Sequence, residues 1–215
     1  MGIDPFQAEV ARVGLGCGWR SRVRAGRRGD ALVAHGLVER PTQDVDLFSP
    51  RAGAPGAVAP RVRRALESAG FRVEVTRRSE ESAGEFAQLT VSRGEAMVLL
   101  DLARDWRQQP PVRLDIGPVL HIDDAVGSRV IAMVGRGLPR DFIDVAATLG
   151  RYSREQLMTL AFVCDPGLRV LDFTDAALAL DAVPAEAFAA YGFGRRRCHR
   201  VAVTVRSLAT RCVVR

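Results

Sequence analysis

The sequence contains no lysine: all 31 of its basic residues are arginines, which indicates a GC-rich bacterial coding sequence. It also lacks an apolar run of the eighteen or so residues that a membrane span requires, and it starts without the basic and apolar regions of a secretory signal. No Cys-x-x-Cys pair, P-loop, zinc motif or Ser–His–Asp order occurs. These absences argue against a membrane protein, a P-loop kinase, a metalloprotease and a triad hydrolase. We therefore expect a cytoplasmic protein with reduced cysteines.

The net charge of +6 is concentrated in two short segments. Residues 14–28 hold five arginines and residues 193–215 hold seven, and neither segment contains an acid. Without those twelve arginines the chain has 19 basic and 25 acidic residues, a net charge of −6. The two segments are interpreted either as nucleic-acid-binding flanks or as the product of a reading-frame slip in a GC-rich gene. A frame slip predicts that both are irregular, because neither shows a clear apolar face at helical spacing.

Apolar periodicity and turn residues divide the 215 residues into a mixed α/β part at 1–118 and an all-helical part at 119–215. The predicted helices are 4–13, 29–38, 61–70, 121–136, 139–150, 154–163, 175–180 and 184–190. The predicted strands are 43–48, 71–75, 86–91, 96–102 and a short one within 107–118, with a Gly/Pro/Ala loop at 49–60. The expected fold class is α+β, with a small mixed sheet flanked by helices and an all-helical C-terminal part.

Asp44 and Asp46 form the most informative pattern in the chain. They lie in the strand Asp-Val-Asp-Leu-Phe, and residues two apart in a strand point to the same face. Two carboxylates held this close repel each other. A divalent cation such as Mg²⁺ (or Mn²⁺) relieves the repulsion, because Mg²⁺ takes one or two carboxylates and leaves its other positions to water and phosphate oxygens. The alternative is a solvated strand end with two exposed acids.

Residues upstream of this pair offer groups for a phosphate. Gly29 opens an apolar helix whose N-terminal N–H groups favour an anion, and Arg40 and Thr42 add a cation and a hydroxyl before the acids. The stretch resembles the first motif of the AbiEii/AbiGii family of nucleotidyltransferase toxins, members of the DNA-polymerase-β-like nucleotidyltransferase superfamily. That motif is Arg-x-Ser/Thr-x-Asp-[hydrophobic]-Asp-Leu-Phe, and residues 40–48 read Arg-Pro-Thr-Gln-Asp-Val-Asp-Leu-Phe. Where the family has a glycine pair, this chain has Arg28 followed by glycine.

A second stretch, residues 123–145, resembles the later motif of the same family. There a helix carries a phosphate-binding lysine, an arginine seven residues later, and then Arg/Lys-Asp-x-x-Asp. Arg129 stands at the position of the lysine, Arg136 follows at the same spacing, and Asp144 ends the pattern. Arginine keeps the positive charge but is bulkier than lysine. Taken without the first motif, the stretch reads as an ordinary surface series of Arg–Asp pairs, which would contribute little to stability.

The superfamily also requires a third carboxylate from a neighbouring strand. Asp101 is the best-placed candidate, because the three apolar residues before it indicate a central strand. The alternative for Asp101 is a strand end that caps a turn, and Asp105 and Asp115 are weaker candidates for the third acid.

The resemblance implies a nucleotidyltransferase fold and an enzyme that transfers a nucleotidyl group from a nucleoside triphosphate to an acceptor hydroxyl. The implied metal ligands are Asp44, Asp46 and Asp101. Asp144 is the fourth catalytic candidate, orienting an arginine or the base, and the implied nucleotide-binding residues are Gly29, Arg40, Thr42, Arg129 and Arg136. The implied acceptor is the 3′ end of tRNA, and the implied partner is a cognate antitoxin. Two alternatives stay open: a non-catalytic nucleotide- or RNA-binding relative, given the departures at Arg28 and Arg129, and an aminoglycoside-type nucleotidyltransferase.

Overall fold

The protein, seen as a computed structural model, is described at residues 4–17, 24–25, 28–40, 44–78, 84–105, 107–192 and 195–209. The chain divides into two units. The N-terminal unit consists of Met1–Ala34 and Pro41–His121, and the C-terminal unit of His35–Arg40 and Ile122–Arg215. The short segment His35–Arg40 thus belongs to the unit whose other residues follow some eighty positions later.

The described part of the N-terminal unit is a sheet with flanking helices. Its helices are α1 (Pro5–Gly16), α2 (Arg28–Ala34) and α3 (Ala54–Ser68). Its strands are β1 (Arg24–Ala25), β2 (Asp44–Ser49), β3 (Arg72–Arg78), β4 (Phe86–Arg93), β5 (Ala96–Arg104), β6 (Val112–Leu114) and β7 (Gly117–Val119). The strands form one sheet in the order β3-β4-β5-β2-β1-β7-β6. The pairs β2/β5 and β1/β7 are parallel and the other pairs are antiparallel, so the sheet is mixed.

Only helices occur in the described part of the C-terminal unit. They are α4 (Ile122–Gly135), α5 (Pro139–Thr148), α6 (Arg154–Cys164), α7 (Val170–Asp181), α8 (Glu186–Ala189) and α9 (Arg195–Ala209). No helix among the described residues has the length and apolar character needed to cross a membrane. The expected α+β class, a mixed sheet with helices followed by a helical part, is confirmed.

One face of the sheet is packed against α1 and α3. Alternation along β2 sends Val45 and Leu47 into this core, together with the corresponding residues of β5, β4 and β3. The strand and helix members of the core are Val10, Ala11, Val45, Leu47, Val58, Ala59, Val62, Leu66, Val73, Ala87, Leu89, Val91, Val98, Leu100 and Leu102, with Phe71 beside them. Because successive side chains alternate, Asp44, Asp46 and Asp101 belong to the opposite face.

The predicted loop at 49–60 is wrong over its second half, because α3 begins at Ala54. Three prolines and two glycines in residues 49–60 are strong turn signals, which is why the sequence favours a loop. Pro55 is tolerated because it lies in the first turn of the helix, where its missing N–H costs no hydrogen bond. Gly56 is required by close packing, since a Cβ there would lie 2.9 Å from the Cα of Gly84. Other boundaries also differ from the prediction: α2 ends at Ala34, and α7 already begins at Val170.

The prediction that residues 193–215 are irregular is wrong for residues 195–209, which form α9. Val201 and Val205 on this helix are 4% and 1% exposed, so a narrow apolar stripe packs inward between arginines. This helix argues against the frame-slip explanation for residues 193–215 and favours their interpretation as a basic flank. Of residues 14–28, those that the structure describes end α1, form β1 and begin α2.

The packing of α4 on α6 depends on Gly127, which gives the first prediction. A Cβ at this position would lie 2.6 Å from the carbonyl oxygen of Leu160 and 2.9 Å from Sγ of Cys164. We expect Gly127→Ala to lower the free energy of unfolding by about 1–3 kcal/mol, the usual cost of overpacking, as measured by urea denaturation. Gly135→Ala is the control, because nothing lies within 4 Å of its Cβ position on the same helix. Equal stability of the two variants would contradict a close approach between α4 and α6.

Candidate active site

The acid pair Asp46 and Asp101 lies at the centre of the sheet. The two residues are register partners on the parallel strands β2 and β5, and neighbouring strands lie about 4.8 Å apart. Asp46 is 2% exposed and Asp101 is 7% exposed. Two carboxylates held together in a buried position require compensation of their negative charge. The alternative of a solvated acid at an exposed strand end therefore does not describe Asp46. The alternative for Asp101, a strand end that caps a turn, does not apply either, because β5 continues to Arg104.

Asp44 shares the face of Asp46 but not its position in the register. It pairs with Leu99 and is partly buried, two residues before Asp46. Successive same-face residues of a strand are separated by roughly 7 Å, so Asp44 stands farther from Asp101 than Asp46 does.

The other candidates for the third acid have different surroundings. Asp105 follows β5, where its backbone N–H donates to the carbonyl of Ser49 at 3.0 Å and its carboxylate pairs with Arg107 at 2.5 Å. Asp115 is exposed in the turn between β6 and β7, and β1 and β7 separate β6 from β2 in the sheet. Of the three candidates, Asp101 is the register partner of Asp46.

Two residues near the acids were missed by sequence reasoning. Gln88 on β4 is the register partner of Asp101, and its Nε2 donates to Oδ1 of Asp101 at 2.8 Å. The guanidinium carbon of Arg107 lies 5.0 Å from the ring centroid of Phe48, which shares the face of Asp46. Neither has a local signal, because Gln88 reads as an ordinary strand residue and Arg107 lies in a stretch with no periodicity.

The chemistry of the acid pair fits a hard divalent cation. Among the described residues, no three His, Cys, Asp or Glu side chains form a group that could hold a metal ion. Mg²⁺ does not need such a group, because it is usually bound through one or two carboxylates together with water and substrate phosphates. Asp46 and Asp101 supply two carboxylates of this kind from adjacent rigid strands.

The C-terminal unit contains a second charged cluster, which we call the arginine–aspartate chain. At one end, Nε and Nη2 of Arg40 donate to the two oxygens of Asp144 at 2.8 and 2.9 Å. At the other end, Nε and Nη2 of Arg136 donate to the two oxygens of Asp141, both at 2.8 Å. Arg129 joins the two ends, with Nη1 2.5 Å from Asp141 and Nε 3.0 Å from Asp144.

Most of the arginine–aspartate chain is buried, so it is not the series of surface pairs that the second motif alone would suggest. Arg40, Arg129, Asp141 and Asp144 are each less than a tenth exposed, whereas the side chain of Arg136 is 48% exposed. Burial lowers the pKa of the Arg129 guanidinium, and the charges of Asp144 and Asp141 offset part of this effect. Burial alone would raise the pKa of Asp141, but Arg136 and Arg129 outweigh it, so this pKa lies below its usual value.

The contacts of Asp144 are those of an anchoring carboxylate. Both of its oxygens accept hydrogen bonds from Arg40, and Arg129 adds an ion pair. Forked pairs of this kind fix orientation as well as charge. Asp144 is therefore suited to hold two arginines, and Arg40, predicted as a nucleotide contact, is engaged inside the protein.

The remaining predicted residues are at the first motif. Gly29 is the second residue of α2, whose first residue is Arg28, and α2 has 7 residues. Thr42 lies outside the described residues.

Comparison with known proteins shows the fold. No protein-family model matches this chain, and no curated protein matches it either. Among solved structures, the chain is similar to MenT4, nucleotidyltransferase toxin Rv2826c from Mycobacterium tuberculosis H37Rv, with a TM-score of 0.59 and 19% sequence identity. The match covers 97% of this chain and 82% of that one. The fold is thus of the nucleotidyltransferase type, as the two motifs predict.

The arginine–aspartate chain gives a prediction about stability. Asp144→Asn would leave two buried guanidiniums without their shared carboxylate, and we expect a loss of about 3–5 kcal/mol in the free energy of unfolding. Asp172→Asn is the control, because Asp172 pairs with Arg169 at the surface of the same unit. Urea denaturation followed by circular dichroism measures both. An Asp144→Asn variant as stable as the control would show that the arginine–aspartate chain does not stabilise the C-terminal unit.

A further prediction concerns the stability of the protein at low pH. Because the pKa of Asp141 is lowered in the folded protein, its ionised form adds stability above the ordinary carboxyl pKa of 3.8. That contribution is lost as the pH falls below this value and through the lower pKa of the folded state. We expect the difference in unfolding free energy between wild type and Asp141→Asn to stay constant from pH 7 to about pH 5 and to shrink towards pH 3. A difference that is independent of pH over this range would contradict the assignment.

Proposed function

We propose that this chain is a metal-dependent nucleotidyltransferase that transfers a nucleotidyl group from a nucleoside triphosphate to an acceptor hydroxyl. The observation that carries the proposal is the buried pairing of Asp46 with Asp101 on parallel strands. Both carboxylates stand on the same face of the sheet, and Asp101 accepts a hydrogen bond from the amide of Gln88. A buried pair of carboxylates on adjacent strands is suited to a divalent cation, and the nucleotidyltransferase-type fold supports the same interpretation.

In this proposal Asp44, Asp46 and Asp101 would hold Mg²⁺ or Mn²⁺ with the triphosphate. A cation held there would supply the neutralisation of negative charge that the displacement needs. The acceptor oxygen forms a bond to the α-phosphorus, the bond from that phosphorus to the bridging oxygen breaks, and pyrophosphate leaves while the acceptor proton passes to solvent. The strands fix the carboxylates in advance, so little reorganisation is needed when charge moves.

The arginines divide into two roles. Arg40 and Arg129 act through their contacts with Asp144 and position the segments that carry them. Arg136 has a half-exposed side chain, and we assign it the phosphate contact that the resemblance implies. Gly29 and Thr42 keep the phosphate-facing roles implied by the first motif.

Within the superfamily, we assign the chain to the AbiEii/AbiGii-type toxins on the strength of residues 40–48. The similarity to a mycobacterial nucleotidyltransferase toxin supports a role as the toxin of a toxin–antitoxin pair. We propose the 3′ end of tRNA as the acceptor, a cognate antitoxin as the protein partner and the cytoplasm as the place of action. The exposed arginines of α9, Arg196, Arg200 and Arg206, offer contacts for an RNA backbone.

The proposal predicts that the acid pair is essential for transfer. Incubating the protein with each labelled nucleoside triphosphate, Mg²⁺ and total RNA should label an RNA band. We expect Asp46→Asn and Asp101→Asn to lower the rate at least about a hundredfold, as for other groups that stabilise transition-state charge. Glu74→Gln is the control, because it removes an exposed acid from β3 of the same sheet.

Other outcomes identify the alternatives. Labelling of an aminoglycoside in place of RNA would favour the small-molecule transferase. Binding of a triphosphate without transfer to any acceptor would favour the non-catalytic relative. Normal Mg²⁺-dependent transfer by Asp46→Asn would contradict the metal assignment.

A further inference from the structure

The sheet face that carries the acid pair continues onto two exposed apolar side chains. The core takes the even-numbered residues 98, 100 and 102 of β5, so Met97, Leu99 and Asp101 share the opposite face. Their exposed fractions rise along the strand, from 7% for Asp101 to 36% for Leu99 and 69% for Met97. The face therefore opens towards the β4–β5 hairpin, from a buried acid to a side chain that is mostly in solvent.

The strand register connects these two apolar side chains with the candidate active site. Leu99 is the register partner of Asp44 on β2 and of Thr90 on β4. Same-face residues along a strand are separated by roughly 7 Å, so Leu99 lies one such step from Asp101 and Met97 lies two steps from it. The pair, which we call the apolar platform, is thus contiguous with the acids.

The chemistry of the apolar platform suits a flat, uncharged ligand. Large apolar side chains exposed at adjacent positions indicate a binding surface, whereas single ones are normal on any protein. On the β4 side the opposite positions are Thr90 and Ser92, which add hydroxyl groups and no charge. A nucleobase fits this description, because proteins pack unstacked bases against aromatic or apolar side chains. The unbranched methionine side chain adapts its shape to such a partner.

We propose that Met97 and Leu99 bind the terminal base of the acceptor RNA. The inference rests on the proposed function, because it takes the reaction to occur at the acids. A triphosphate is anchored there through its phosphates and the cation, whereas the acceptor brings only an uncharged hydroxyl and needs another contact to be held in position. The base of a terminal nucleotide lies a short distance from its sugar hydroxyls, on the scale of the step between Leu99 and Asp101. The apolar platform thereby holds the acceptor hydroxyl beside the acids.

Binding of RNA without any triphosphate tests this role apart from activity. The probe is a short single-stranded RNA with the sequence of a tRNA 3′ end, labelled with fluorescein at its 5′ end and titrated in Mg²⁺ by fluorescence anisotropy. A matched probe has the same sequence, but its 3′-terminal ribose lacks the base. We expect wild type to bind the intact probe roughly 10-fold more tightly than the matched one, since a packed base removes apolar surface from water.

Three variants sharpen the test. Leu99→Ser and Met97→Ser each remove part of the apolar platform, and we expect both to bind the two probes with nearly equal affinity. Leu171→Ser is the control, because it makes the same change at a leucine that is 63% exposed on α7. We expect the control to keep the preference of wild type for the intact probe. Calorimetric titration with each nucleoside triphosphate should give the same affinity for all four proteins.

The outcomes separate this inference from the proposed function. The inference is overturned if wild type binds both probes equally, or if both platform variants keep the preference for the intact probe. It is also overturned if the variants lose affinity for a triphosphate and not for RNA, because the bound base would then belong to the triphosphate. A wild-type dimer in analytical ultracentrifugation that Leu99→Ser dissociates would assign this face to a second copy instead.

The proposed function fails on a different result, which is the absence of label transfer to any acceptor. That result leaves the binding measurement intact, so the two failures are distinguishable. Should Leu99→Ser fail to fold, Met97→Ser decides the test, because its side chain is already 69% exposed and contributes little to the core.

Discussion

The parallel pairing of β2 with β5 is the constraint on which the candidate site depends. It brings Asp46 and Asp101 into register from positions 55 residues apart in the sequence. The same pairing sends Leu47 and Leu102 into the core beneath them. A shift of one residue would exchange the two faces, so burial of the leucines and juxtaposition of the acids are specified together. Burial of the apolar core favours this register even though it places two carboxylates side by side, where they repel each other. Local sequence preferences alone would not bring them together.

Buried aspartates occur in both units of this protein. In the C-terminal unit three arginines surround two aspartates, and the result is a rigid connection among α4, α5 and the segment His35–Arg40. In the N-terminal unit Asp101 accepts a hydrogen bond from the amide of Gln88 and lies in register with Asp46 on the neighbouring strand. Forked arginines fit an anchoring role for Asp141 and Asp144, and the pairing of two carboxylates fits the metal-binding role proposed for Asp46 and Asp101.

The sequence predicted those features that depend on local order. The alternation of Asp-Val-Asp-Leu-Phe was enough to put Asp44 and Asp46 on one face, and an apolar run was enough to make Asp101 a central-strand residue. Gln88 was missed because its place opposite Asp101 depends on the exact register of the β4–β5 hairpin, and the strand pattern alone does not give that register. The start of α3 was missed because proline is tolerated in the first turn of a helix, where Pro55 lies, but breaks a helix at most other positions. The helix α9 was missed because its buried stripe is narrow and arginines surround it.

The course of the chain between the units has a consequence for their evolution. It passes from the N-terminal unit into the C-terminal unit after Ala34, returns after Arg40, and passes over again after His121. Arg40, which lies just before the first acidic motif, has its forked partner Asp144 more than a hundred residues later. The two units are therefore not modules that a single recombination event could exchange: a crossover at residue 121 would give Arg40 an aspartate from another lineage. Inheritance of the acidic motif is thus tied to that of the helices that hold Arg40, and the two parts are expected to change together or not at all.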